Sequence, residues 1–230
     1  ESISPVAMAR TTSVAAWEYF NEIDPGKPTG RFYAEVGKYL EAIDPYQHPR
    51  TTSCWGPQPR DWRHPQLDIA EHHHYLRPAN KEKFKDEVAA AVEQAQFLRD
   101  KTPAGPVLLG EFGLADDKWG LSPYMKQDAE LGHFHNILWA SALSGASGTA
   151  LFWWWDQLDR QDGYHHYRPV AQFLAGVPFT TAGLRSGSVA VVAGEARAVG
   201  LSGKDQAYVW LFNPKATWWN MVVEKQTPAE

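Results

Sequence analysis

Residues 106–113 read PVLLGEFG, a short apolar run that stops at a glycine and delivers an acid, Glu111, at its end. A run this brief, bounded by proline and glycine, reads as a buried strand over Pro106–Leu109. Before it, Lys81–Lys101 carries the clearest helical stripe, with Phe84, Val88, Val92, Ala95 and Leu98 on one face. After it, a helix is expected over Pro123–Leu143, a strand over Thr149–Trp154 and a short helix over Arg168–Leu174. Moving toward the N-terminus, Leu67–His72 and Arg50–Cys54 (RTTSC) read as strands. Between them, WGPQPRDWRHPQ holds too much proline for a full helix. Thr29 is the expected cap of a helix reaching about Ile43, with Phe32, Val36, Tyr39 and Leu40 at helical spacing. Ser13–Trp17 (SVAAW) reads as the first strand.

Residues 13–176 therefore alternate strand with helix, which argues for a parallel α/β sheet. From Ser188 the pattern changes. SVAVVAG, ARAVGLSG, QAYVWLFNP and TWWNMVVEK are strand-like, and glycine, asparagine and proline separate them. The expected division is 1–176 for the α/β part and 177–230 for a small antiparallel β region.

The chain has 230 residues and a formal net charge of -5, enough for one sizeable core and without the basic patch of a nucleic-acid surface. No apolar run approaches the ~20 residues of a membrane-spanning helix. The start, ESISPVAMAR, lacks a basic segment followed by an apolar one. The single cysteine, Cys54, leaves the compartment open, with a secreted or periplasmic setting as the expectation. The excess lies in tryptophan, eleven in all. An indole offers a flat apolar face and one polar N–H, which suits the C–H face and hydroxyl rim of a sugar.

Strand ends carry the chemistry. AAWEYFNEID puts Asn21 and Glu22 just past the first strand, HHHYLRP puts His73 and Tyr75 past the third, and GEFG puts Glu111 past the fourth. FWWWD places Trp153, Trp154 and Trp155 at the end of the fifth. Two carboxyl groups ~5–5.5 Å apart are what double-displacement cleavage of a glycosidic bond requires. Glu18 is a rival for Glu22, but its place in the strand's last turn predicts a structural acid paired with a base. The run KEKFKDE, 81–87, reads as a solvated helix face. The histidines of HHH and of His133-Phe-His135 have the look of metal ligands. On a helix, however, His133 and His135 point apart, and zinc needs three or four converging ligands. No metal and no cofactor is expected.

In the order Asn-Glu, His-x-Tyr, Glu-Phe-Gly and Trp-rich strand end, residues 13–176 resemble the clan of (β/α)8-barrel retaining glycoside hydrolases, closest to the family 5 cellulases and mannanases. The resemblance implies Glu22 as general acid/base and Glu111 as nucleophile. It implies that Asn21 bonds the sugar 2-hydroxyl, Tyr75 hydrogen-bonds the nucleophile and His73 lines the site. It further implies a sugar-stacking tryptophan at the last strand, Trp154 before Trp155, with Trp55 as another subsite wall. Substrates would be β-linked glucans or mannans, or short β-glucosides; the alternative is a catalytically impaired carbohydrate-binding barrel fragment. The match starts at the family's fourth strand, so the arginine and histidine that its earlier strands bring are missing. A full barrel needs about 250 residues. The fold expected is thus a partial TIM-type barrel of about five parallel strands and three main helices, followed by the small β region. A fragment of a longer enzyme and a second chain supplying the missing half are the competing explanations. The raw edges of a naturally short open sheet lead to the expectation of a homodimer or higher oligomer, with an interface of ~1,600 Å² or more.

Overall fold

A computed structural model describes residues 12–102, 105–192 and 194–227. The chain is a mixed α/β protein. Strand β1 (Trp17–Glu18) is followed by helix α1 (Gly30–Ile43), β2 (Arg50–Thr51), β3 (Ala70–Leu76), α2 (Glu87–Lys101), β4 (Val107–Leu114) and α3 (Gly132–Leu143). Two short helices, α4 (Trp155–Arg160) and α5 (Tyr167–Leu174), lead to β5 (Arg185–Ser188), β6 (Arg197–Ser202) and β7 (Ala207–Phe212). β1 pairs with β2, and β3 with β4, in two parallel two-stranded sheets. β5, β6 and β7 form a separate antiparallel sheet in that order. Single bridges extend the parallel pairs, Ile23 to Cys54 and Phe112 to Phe152. The carbonyl of Arg50 accepts from the amides of Asp68 and Ile69, tying β2 to the start of β3. No closed barrel is formed among the described residues. None of their helices is long and apolar enough to cross a membrane.

β4 sits at the centre. Seven of its eight residues are buried, as expected for a parallel strand covered on both faces. Val107, Leu109, Phe112 and Leu114 pack with Val88, Ala91, Ala95 and Leu98 of α2 and with Phe134, Ile137 and Leu138 of α3. The same core runs on into Val199 and Leu201 of β6 and into Trp218. Small alanines on α2 let that helix lie close against the strands.

Several expected elements shorten or change. The first strand pairs only at Trp17–Glu18, so residues 13–16 of the expected run lie outside it, and Glu22 takes a left-handed backbone (φ 54°) before the single bridge at Ile23. Arg50–Cys54 ladders only at Arg50–Thr51 and then at the Cys54 bridge. The third strand begins and ends later than expected, at Ala70–Leu76. Thr149–Trp154 makes one bridge, at Phe152, because the chain turns into α4 at Trp155. The helix expected from Lys81 begins at Glu87, where Asp86 caps the Ala89 amide at 2.8 Å; a 3₁₀ segment, Pro78–Lys85, precedes it. In place of one helix over Pro123–Leu143 there is a 3₁₀ turn, Pro123–Gln127, and then α3. Asp128 separates the two by accepting from the amides of Gly132 and His133. Thr29 is the N-cap residue of α1 as expected, but its hydroxyl donates to Asp61 rather than accepting from a helix amide. The run 81–87 is not wholly a solvated face, since Phe84 and Glu87 are buried.

TWWNMVVEK is not a strand. Trp219–Val223 forms a π-helical turn, set by Trp218, whose buried indole donates to the Phe84 carbonyl at 2.8 Å. Trp218 thus packs rather than binding ligand, and Trp219 lies edge-on to it with Lys85 over its ring.

Candidate active site

Alternation along β3 sends Glu71, His73 and Tyr75 to one face and Ala70, His72, His74 and Leu76 to the other. On β4 the pairing shifts by one residue between His72 and His73, so that Leu109 faces His72 while Glu111 faces His73. Gly110 is the extra residue. Without that bulge Glu111 would keep the parity of Val107 and Leu109 and point at the α2 side. Glycine is required there, because a Cβ would lie 1.9 Å from Glu71 Oε1.

The bulge brings Glu111 to Glu22. One oxygen of each and a ring nitrogen of His73 all lie within 4.8 Å of one another. His73 Nδ1 is 2.9 Å from Glu22 Oε1 and 3.2 Å from Glu111 Oε2, and Nε2 is 3.4 Å from Glu71 Oε1. The Tyr75 hydroxyl donates to Glu111 Oε2. Thr51 Oγ1 donates to Glu71 Oε2 at 2.8 Å, anchoring that acid from β2. The Glu22 amide donates to Ser53 Oγ, which donates in turn to Glu18 Oε1 at 2.6 Å. Glu18 is therefore held by a hydroxyl rather than by the base expected for it.

Burial disfavours a charge on His73, but hydrogen bonds to Glu111, Glu71 and Glu22 outweigh it and push the imidazole up to about 10. The ring is an imidazolium at neutral pH. Among the described residues no lysine or arginine lies within ion-pair distance of Glu18, Glu22, Glu71 or Glu111, so His73 is the cation of this acidic cluster. Burial and the bond to Glu111 drive the Tyr75 hydroxyl the same way, well above the ordinary phenol range, so it stays a donor. Glu71 carries a share of the His73 charge. In Glu71→Gln the His73 ring, followed by NMR, should titrate roughly one pH unit or more below its parent midpoint. An unmoved midpoint would remove Glu71 from this account.

A cavity of about 740 Å³ opens over the pair. Of the residues singled out in the sequence, Asn21, Glu22, Trp55, His73, Tyr75 and Glu111 all line it. Trp154 and Trp155 do not. Trp154 packs beneath, 5.5 Å from the Tyr75 ring and against Gly113, and Trp155 is exposed elsewhere. Their neighbour Trp153 takes the wall, half exposed, with Trp55 and Trp119. Sequence reasoning missed Glu71, Arg77 and Trp119, and favoured Trp154 and Trp155 over Trp153. Glu71 was within reach, since it lies two residues before His73 on the same strand face.

Glu18, Glu71 and His73 form a second close group of three possible metal ligands beside Glu22, His73 and Glu111. His73 belongs to both, and its nitrogens already face carboxylate oxygens, so a metal ion would have to displace those protons. The other histidines disperse. His72 and His74 also line the cavity but make no hydrogen bond to Glu22 or Glu111, and burial pushes them down to about 3 and about 4. His133 bonds Asp128, and His135 faces His166.

Comparison with family models, with curated proteins and with solved structures finds no match to this chain.

Proposed function

We propose that this chain is a retaining β-glycosidase site built on the second part of a TIM-type barrel, in the manner of the family 5 cellulases and mannanases. The observation that carries the reading is the approach of the Glu22 and Glu111 oxygens to within 4.8 Å. So close an approach fits the ~5–5.5 Å spacing of a retaining pair better than the ~6.5–9.5 Å of an inverting pair, which leaves room for a water. Glu111, nearly buried and held by Tyr75 and His73, attacks the anomeric carbon. Glu22, more open to solvent, gives its proton to the departing oxygen. Water then gives a proton back to Glu22 and its oxygen to the same carbon, releasing Glu111 as a carboxylate. Trp55, Trp119 and Trp153 supply flat faces around this centre, and the substrate class is a β-linked glucan or mannan or a short β-glucoside.

A second reading is a carbohydrate-binding barrel fragment without turnover. It is favoured by the exposure of Glu18, Asn21 and Trp55, which leaves the β1 side of the cavity open. Proton NMR of β-gluco- and β-manno-oligosaccharide digests separates the two. Retention predicts that the β-anomer of the new reducing end appears first. First appearance of the α-anomer sinks the mechanism, and binding without any cleavage leaves the second reading.

A further inference from the structure

Arg77 closes one end of the cavity in a way that neutral-sugar hydrolysis does not need. Its guanidinium carbon lies 3.6 Å from the centroid of the Trp119 ring. The face of the guanidinium is used in that stack, while its N–H donors lie in the plane and remain available at the edge. No carboxylate lies within ion-pair distance of Arg77 among the described residues. Asn80, whose Oδ1 accepts from the Arg77 amide, and Gln94 line the same cavity. Trp119 in turn meets the Tyr75 ring edge-on at 6.3 Å, and Tyr75 holds Glu111. The stacked arginine therefore stands one aromatic ring farther along the same wall as the reacting pair.

Elsewhere this cavity is acidic: Glu22 and Glu111 line it around the His73 imidazolium, and Glu71 holds that ring from behind. An acidic sugar would be repelled from most of it. The one place where its charge finds a free fork of donors is beside Trp119.

Resting on the glycosidase reading above, we propose that Arg77 and Trp119 form a subsite for a carboxylate-bearing sugar residue, a uronate, set next to the residue whose bond is cut. The planar two-oxygen carboxylate matches the guanidinium edge with two parallel hydrogen bonds, whereas a tetrahedral sulfate ester matches it less well. The stack holds the arginine plane fixed, so little side-chain freedom is lost on binding.

Calorimetry tests this without requiring turnover. The probes are a β-linked oligosaccharide bearing one glucuronate, its neutral counterpart and its sulfated counterpart. The parent should bind the uronate form about tenfold more tightly than the neutral form at low salt, and the preference should shrink as salt is raised. Arg77→Gln should bring the ratio to about one. Arg77→Lys, which keeps the charge and loses the planar fork, should keep only part of it. Equal affinities in the parent, or a ratio that survives in Arg77→Gln, overturns the subsite; a stronger preference for the sulfated probe overturns the uronate assignment. A parent that keeps the charge preference but cleaves nothing sinks the glycosidase reading and leaves the subsite. A parent that cleaves neutral and acidic chains equally, with Arg77→Gln changing neither, does the reverse.

Discussion

Glu111→Ala is expected to abolish hydrolysis of an aryl β-glycoside, with a fall on the order of a million-fold, as when other covalent nucleophiles are removed. No neighbour can take over. Tyr75 and His73 both point at the Glu111 oxygen and are hydrogen-bond donors at neutral pH. Glu22→Ala should behave differently. A good leaving group such as dinitrophenolate departs without a proton, so the first half-reaction survives in this variant. The second half-reaction stalls, because nothing takes the proton from water, and the glycosylated protein should accumulate as a mass increase of one sugar. A small anion such as azide needs no general base: in Glu22→Ala it should release the sugar as the β-glycosyl azide, whereas in Glu111→Ala it can only stand in for the missing nucleophile and give the α-azide. The two roles exchange if Glu111→Ala gives the β-azide and Glu22→Ala the α-azide. If neither variant differs from the parent, the acid pair plays no part in chemistry.

The motif residues were legible because each stands at the end of an apolar run, and parallel strands deliver such ends to one side. Asn21, Glu22, His73, Tyr75 and Glu111 do meet around one cavity. What alternation alone gets wrong is the phase of Glu111. Counting by twos from Leu109 aims it at the helix, and only the bulge at Gly110 reverses that. A lone glycine inside a strand pattern was the available sign. The tryptophans show a different limit. Trp153, Trp154 and Trp155 are equivalent by composition, and which of them reaches the cavity depends on where the chain leaves the strand for α4. Trp119 sits in a turn with positive φ, and Arg77 reaches it from the end of β3; nothing in the local pattern announces either. The C-terminal tryptophans misled for a reason of burial. Trp218 has no exposure, so its surroundings rather than its strand propensity decide its backbone.

Glu87 was placed on a solvated face by its charged neighbours, and its burial makes the second large prediction. Its carboxyl is completely enclosed at the start of α2. Oε1 accepts from Asn136 Nδ2 at 2.7 Å and from the Trp218 amide at 3.0 Å, while Oε2 has no partner among the described residues. Burial raises its pKa to about 8, against the opposing pull of those donors. A carboxyl raised on folding holds its proton longer in the native than in the unfolded chain. Its contribution is therefore complete below the unfolded value near 4.5 and is lost as pH rises through about 8. The parent's own stability curve will not isolate this effect. His72 and His74, depressed to about 3 and about 4, make stability rise with pH up to the ordinary histidine range, and His73, raised to about 10, makes it fall above that range. The difference between the parent and Glu87→Gln cancels the histidines. Measured by urea unfolding, the parent should lose about 1.4 kcal/mol per pH unit relative to Glu87→Gln between roughly pH 5 and 7.5, a few kcal/mol in total. Glutamine keeps the oxygen that Asn136 and Trp218 use, so the packing of Trp218 against Phe84 should persist as unchanged near-UV dichroism. Parallel stability curves for the two proteins would show that Glu87 is ionised in the fold at neutral pH. Its unpartnered oxygen would then have to be reached by water, against the enclosure found here.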